Sequence, residues 1–253
     1  MCLWTFSQFF HILNTFSLKI VFTIALVYRK KVNAITYRHE QKIEISYGDL
    51  LALRSRLKAV MQTDPHAPEG RYTIRSLYFD NDNNKALREK LDGVNYREKF
   101  RLRCYNEDMN FIRLEKKSKI NGLCRKESTL LTMAQVEELL AGEMSAEAPL
   151  ARELLVKMRS QGLKPKTLVE YTREAYIFAP GNVRVTLDYN IRTGLEGTDF
   201  LNPDCIMVPA GDAPAVLEVK WAEYLPDIIR DLIQLPHRRV GAFSKYAACR
   251  IYG

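Results

Sequence analysis

Ten residues near the middle of the chain, Tyr96-Arg97-Glu98-Lys99-Phe100-Arg101-Leu102-Arg103-Cys104-Tyr105, alternate with a period of two. That period belongs to a β-strand. Arg97, Lys99, Arg101 and Arg103 fall on one face, and Tyr96, Phe100, Leu102 and Cys104 fill most of the other. Neighbours on one face of a strand stand about 6.7 Å apart, twice the rise per residue. At that spacing each like-charge pair costs roughly 2.5 kcal/mol at an effective dielectric of about 20, and only about 0.6 kcal/mol in open water. Such a face is either fully solvated or built to receive an anion.

Other stretches decide between the two. Ile112–Lys117 sets Arg113, Glu115 and Lys117 against Ile112 and Leu114. Val183–Asp188 sets Arg184, Thr186 and Asp188 against Val183, Val185 and Leu187, and Leu217–Lys220 sets Glu218 and Lys220 against Leu217 and Val219. Arg38, Glu40 and Lys42 share a looser register. An open sheet with one wet face gives the alternation. It would not favour one sign so heavily along the central strand. A closed barrel with an ionic lumen accounts for both. The predicted fold is therefore α+β: a closed antiparallel β-barrel tunnel with a charged lumen and helices packed outside.

Bulk charge says less than this register. Of a formal net charge of +8, residues 1–36 supply +4 through Lys19, Arg29, Lys30 and Lys31, with no acid. The remaining +4 is spread over the rest of the chain. The cations are expected to point inward, where a duplex could not enter, so nucleic acid is not an expected partner. Cys2, Cys104, Cys124, Cys205 and Cys249 are odd in number and contain no Cys-x-x-Cys pair, which indicates neither a zinc site nor a disulfide framework. A reduced, cytoplasmic compartment fits.

Residues 1–35 are read as an N-terminal extension, an anchor or the product of an upstream start codon, and residues 36–253 as the domain. Lys19 interrupts the apolar run, and the uncharged stretch Ile20–Tyr28 is too short to span a bilayer. Membrane contact is expected only through this segment. Ser46 with Asp49 starts a helix, as does Thr132 with Gln135. Asn81–Asn84 has the acidic-amide look of a calcium loop, but Lys85 and Leu91 replace the glycine and the closing glutamate, so calcium is rejected. A short helix, Lys85–Leu91, is expected instead. Strands are expected at Thr73–Asp80, Cys124–Ser128 after an Asn121-Gly122 turn, and Thr167–Phe178. His39 and His66 are read as surface or packing residues, and Tyr78 and Phe79 as core or wall.

Eight short stretches, taken in order, resemble the VTC (vacuolar transporter chaperone) or polyphosphate polymerase domain of the triphosphate tunnel superfamily. They are Tyr37–Lys42, Ser76–Asn81, Lys99–Tyr105, Leu114–Lys117, Tyr171–Tyr176, Arg184–Asp188, Leu217–Lys220 and Phe243–Tyr246. The resemblance implies a metal-dependent phosphotransferase. It would move the terminal phosphate of ATP onto a growing polyphosphate chain with Mn²⁺ or Mg²⁺. Such chemistry needs positioning and charge neutralisation more than covalent catalysis. Arginine forks and lysine point charges bind phosphate, and hard cations need carboxylate oxygen.

By the same resemblance, Arg101 and Arg103 would grip the transferred phosphate with Lys117, and Lys245 would lie near the acceptor end. Lys42, Lys99, Lys126, Arg173, Arg184 and Lys220 would bind the rest of the triphosphate. Glu218, with Glu40 and Glu115, would hold the metal. Glu115 and Asp188 also have a plainer reading, as internal partners of Arg113 and Arg184. One departure matters. The superfamily's triphosphatases carry Glu-x-Glu-x-Lys on the first strand, and here Arg38 takes the first glutamate's place. A triphosphatase and a non-catalytic polyphosphate-binding module are the alternatives.

Overall fold

The alternating stretches form the strands of one antiparallel sheet in a computed structural model, which describes residues 38–67, 69–121, 123–143, 148–211 and 215–251. The chain divides into two units, Met1–Thr36 and Tyr37–Gly253. The expected extension, Tyr37 and Gly122 lie outside the described residues. Strands are β1 His39–Ile45, β2 Gln62–Thr63, β3 Tyr72–Asp80, β4 Arg97–Tyr105, β5 Ile112–Ile120, β6 Leu123–Leu131, β7 Lys164–Phe178, β8 Val183–Thr193, β9 Val208–Pro209 and β10 Ala215–Trp221. Helices are α1 Tyr47–Val60, α2 Lys85–Leu91, α3 Met133–Ala141, α4 Pro149–Gln161, α5 Asp227–Leu232 and α6 Lys245–Cys249.

The sheet runs β1-β10-β8-β7-β3-β4-β5-β6, with β2 added to β7 and β9 to β8. It curls into a half-barrel and does not close. The sheet is not the expected closed barrel, because among the described residues β1 and β6 end the path without pairing with each other. The physical reason lies at β1's free edge. Ile43 bridges to Val240 there, and the Gly241 N–H donates to the Lys42 carbonyl at 2.8 Å. That segment satisfies backbone groups that a closing strand would need. A side-chain bridge spans the gap instead, since Lys117 of β5 reaches Glu40 of β1 at 3.3 Å.

Helices cover the apolar outer face in two places. Phe100, Leu102 and Leu114 pack with Val136 and Leu139 of α3 and Leu154 of α4. Val185, Leu187, Leu217 and Val219 pack with Leu50, Leu53 and Leu57 of α1 and Ile229 of α5. The capping boxes form as the sequence predicts: Ser46 with Asp49, and Thr132 with Gln135. Gly142 and Gly162 end α3 and α4 at φ of 76° and 67°, a left-handed conformation that costs glycine least.

The concave face carries a third, smaller cluster. Ile74, Val169, Tyr171, Ala175 and Val216 meet Tyr246 and Cys249 of α6. The C-terminal tail is therefore a helix, which its length did not suggest. Ser244 caps it, its hydroxyl accepting from the Ala247 N–H at 3.4 Å. Among the described residues, no helix is long and apolar enough to cross a membrane.

Candidate functional site

The register lines up the charged positions. Lys42 stands opposite Glu218, which stands opposite Thr186. Arg173 stands opposite Asp188 on one side and Tyr72 on the other. Tyr78, Arg101 and Glu115 form a row, as do Ser76, Arg103 and Arg113, and Lys99, Lys117 and Lys126. Lys42, Lys99, Arg101, Arg103, Lys117, Lys126, Arg173, Arg184 and Lys220 thus share the concave face, and α6 adds Lys245.

Three ionic groups hold these cations. In the first, Asp188 is fully buried and accepts from Arg173 Nε at 2.6 Å and Nη2 at 2.7 Å, and from Lys245 Nζ at 2.5 Å. Burial works against its charge, but Arg173 and Lys245 outweigh burial and keep the carboxyl below its usual range. Arg173 also reaches Glu218 at 3.3 Å.

In the second, Glu115 is bound by Arg101 at 2.6 Å and by Lys126, with Arg103 at 3.8 Å. Burial again opposes ionisation, and Arg101, Arg103 and Lys126 override it. Arg101 further donates to the Tyr78 hydroxyl at 2.8 Å, and Arg103 to Ser76 at 3.1 Å.

In the third, Glu218 is paired with Lys220 at 2.8 Å, and Glu40 with Lys42 at 2.9 Å. The two carboxylates are hydrogen-bond neighbours. Despite burial, Lys220, Arg173 and Lys42 hold Glu218 well below the usual carboxylate range.

Tyr171 joins the first two groups. Arg103 Nη2 donates to its hydroxyl at 3.4 Å, while Lys245 Nζ lies 4.6 Å and the Arg173 guanidinium 5.4 Å from its ring centroid. An opening of about 520 Å³ leads in beside Glu40, Lys42, Lys99 and Lys117. Lys99 makes no ion pair among the described residues, and burial with neighbouring Arg101, Lys117 and Lys42 pulls it down to about 8 against the pull of Tyr78.

The plainer pairings expected for two acids do not form. Glu115 goes to Arg101, which faces it across the ladder, and Arg113 stacks over Phe111 at 4.8 Å. Arg184 goes to Asp64 at 2.6 Å and to the Tyr72 hydroxyl at 3.1 Å, leaving Asp188 to Arg173 and Lys245. Asp64, Tyr72, Ser76 and Tyr171 escaped the sequence reading. Asp64 lies in the loop before β3, where only the fold brings it to Arg184. Tyr72, Ser76 and Tyr171 share the inward register of β3 and β7, a signal that was present but uncharged.

The donor set for a divalent cation can be judged from these contacts. The structure brings Glu40 and Glu218 together, while Glu115 lies with Arg101 and Lys126. Among the described residues, no three His, Cys, Asp or Glu side chains form a cluster that could hold a metal ion. Two adjacent carboxylates beside a cationic lumen fit Mg²⁺ or Mn²⁺ that takes its other ligands from phosphate and water.

A half-barrel of antiparallel strands whose concave face gathers arginines and lysines defines an α+β domain with a cationic hollow. Residues 37–251 match the VTC domain along its profile, and the chain belongs to the VTC domain family. Solved structures with similarity include the PH1819 protein of Pyrococcus horikoshii OT3. It is 13% identical with a TM-score of 0.40, covering 78% of this chain and 84% of that one. A candidate adenylate cyclase of Bacillus halodurans is 15% identical with a TM-score of 0.45, covering 73% and 80%. A conserved hypothetical protein of Pyrococcus furiosus is 10% identical with a TM-score of 0.39, covering 78% and 85%. No curated protein matches the chain.

Proposed function

We propose that this domain is a metal-assisted phosphotransferase that moves the terminal phosphate of ATP onto a growing polyphosphate chain. The observation that carries the proposal is the charge of the concave face. Ten cations, from seven strands and α6, face five carboxylates: Glu40, Asp64, Glu115, Asp188 and Glu218. The surplus suits a ligand with several negative charges in a row. A single carboxylate or monophosphate would leave much of it unmatched.

In this reading Arg101 and Arg103 fork onto the transferred phosphate, and Lys117 adds a point charge. Arg173, Arg184, Lys42, Lys99, Lys126 and Lys220 hold the remaining phosphates in line. Lys245, held over Tyr171, meets the acceptor end. Glu115 and Asp188 keep the arginines charged and oriented before substrate arrives, so that little reorganisation is left for the reaction. Glu40 and Glu218 would hold Mn²⁺ or Mg²⁺, which when bound supplies further neutralisation of phosphate charge. Residues 36–253 act as the working domain and residues 1–35 as an extension outside the chemistry, in a cytoplasmic setting.

The test is to incubate the protein with ATP and Mn²⁺, stain a gel for polyphosphate and measure released orthophosphate alongside. A long-chain product that Glu218→Gln abolishes, with nucleotide binding largely kept, supports the proposal. Orthophosphate without a chain makes the domain a triphosphatase. Binding of tripolyphosphate without turnover makes it a binding module.

A further inference from the structure

Tyr78 on β3 is only 4% exposed, and its hydroxyl meets the guanidinium assigned above to the transferred phosphate. Arg101 Nη1 donates to the phenol oxygen at 2.8 Å. A guanidinium has no acceptor, so this bond leaves the phenol's own proton unused. Among the described residues, no acceptor for that proton lies within hydrogen-bond distance. The ring is also fixed in place. It stacks on Tyr246 with centroids 4.9 Å apart, and the Tyr246 hydroxyl donates to Asp80 at 2.7 Å. A phosphate oxygen beside Arg101 would supply the Tyr78 proton with an acceptor.

We propose that Tyr78 is a substrate-contacting residue: its hydroxyl donates a hydrogen bond to an oxygen of the phosphate held by Arg101, and its phenolate fraction takes up a proton from solvent as the polyanion enters. The proposal rests on the reading of this lumen as a polyphosphate site. No bond of the substrate changes in the step; a phenolate becomes a phenol.

The surroundings explain why proton uptake accompanies binding. Lys99, Arg101 and Arg103 of β4 face the phenol, with Lys42 of β1 nearby, Glu115 of β5 beyond Arg101, and the uncharged Tyr246 of α6 against the ring. Lys99 Nζ and the Arg101 guanidinium lie 5.6 and 5.7 Å from the ring centroid. Burial alone would push the phenol up, but Arg101, Lys99 and Arg103 outweigh it and bring it down to about 7. In the empty lumen near neutral pH, the ring is therefore partly phenolate. An entering polyphosphate satisfies the same cations and removes their hold on the phenolate, which then protonates.

The experiment uses the full chain and inorganic tripolyphosphate as the probe, at a pH slightly above neutral. Near-ultraviolet difference absorbance reads tyrosinate, and calorimetry in two buffers of different ionisation heat reads proton uptake. The expected result is loss of tyrosinate absorbance and net proton uptake on binding. Tyr78→Phe should bind at least about tenfold more weakly, as expected for a hydrogen bond to a charged group, and show no absorbance change.

Binding to wild type with neither signal overturns the proposal, as does a Tyr78→Phe variant that binds equally well and keeps both signals. If that variant fails to fold, the wild-type absorbance change alone decides. A wild type that binds no tripolyphosphate overturns the lumen reading itself, and Tyr78's role with it.

Discussion

Asp188→Asn should be among the most damaging single changes to the empty domain, and polyphosphate should repair part of the damage. Asp188 is 0% exposed and takes two hydrogen bonds from Arg173 and one from Lys245, whose side chains are 13% and 11% exposed. The amide keeps the shape but removes the carboxylate that, among the described residues, alone pairs with Lys245, and the closer of two on Arg173. Breaking a buried pair by neutralising one partner costs about 3–5 kcal/mol, because the other charge is left uncompensated. A domain of this size loses roughly 2–4 °C of Tm per kcal/mol, so the drop should be about 10 °C. Tripolyphosphate brings negative charge to the same two cations, so its stabilisation should be larger in the variant than in wild type. Thermal unfolding of both proteins, with and without tripolyphosphate, measures this. An unchanged Tm would mean that Asp188 does not hold these cations. An equal ligand-induced shift in the two proteins would mean that the anion binds elsewhere.

Further outcomes follow from the same contacts. Lys245→Ala should impair chain elongation about ten- to a hundredfold while changing ATP binding less, since a charge-assisted contact contributes about 1.5–3 kcal/mol; normal elongation by that variant would remove Lys245 from the acceptor end. The empty domain should gain stability as pH rises from about 7 to about 10. Tyr78 at about 7 and Lys99 at about 8 both lie below their unfolded values of about 10 and 10.4. In that window the unfolded chain binds more protons at both sites, so stability rises with pH. A Tyr78→Phe, Lys99→Met double variant should flatten the slope, and an unaltered slope would contradict these environments. A chain starting at Thr36 should fold and turn over substrate as the full chain does; an insoluble or inactive product would show that residues 1–35 are required.

The charged face was more legible in the sequence than the closure of the sheet. Period-two alternation placed Lys99, Arg101 and Arg103 opposite Phe100, Leu102 and Cys104, and the strand keeps that division, with the three apolar residues fully buried under α3 and α4. Such alternation is local and survives any sheet curvature. Closure is not local: it depends on which segment reaches β1's free edge, and Val240–Gly241 takes it.

Ion-pair partners failed for the same reason. Arg184 and Asp188 lie on one strand and share its face, but Asp64 arrives from a distant loop to take Arg184. Tyr78 was read as wall, and it is wall in its packing on Tyr246. Its hydroxyl stands among three cations of β4, and no pattern within Ser76–Asp80 encodes that. Lys245 is a candidate by resemblance alone, and the helix that carries it into the concave face has just five residues and little periodic signal.

The central claim is that the concave face binds a chain of phosphates. A crystal structure of the protein soaked with tripolyphosphate and Mn²⁺ tests it most directly. The account predicts phosphate density spanning the lumen, one end within hydrogen-bond distance of Arg101, Arg103 and the Tyr78 hydroxyl and the other beside Arg173 and Lys245. Phosphate bound only on the outer surface, with Arg173 and Lys245 still closed on Asp188 and Arg101 on Glu115, would contradict it.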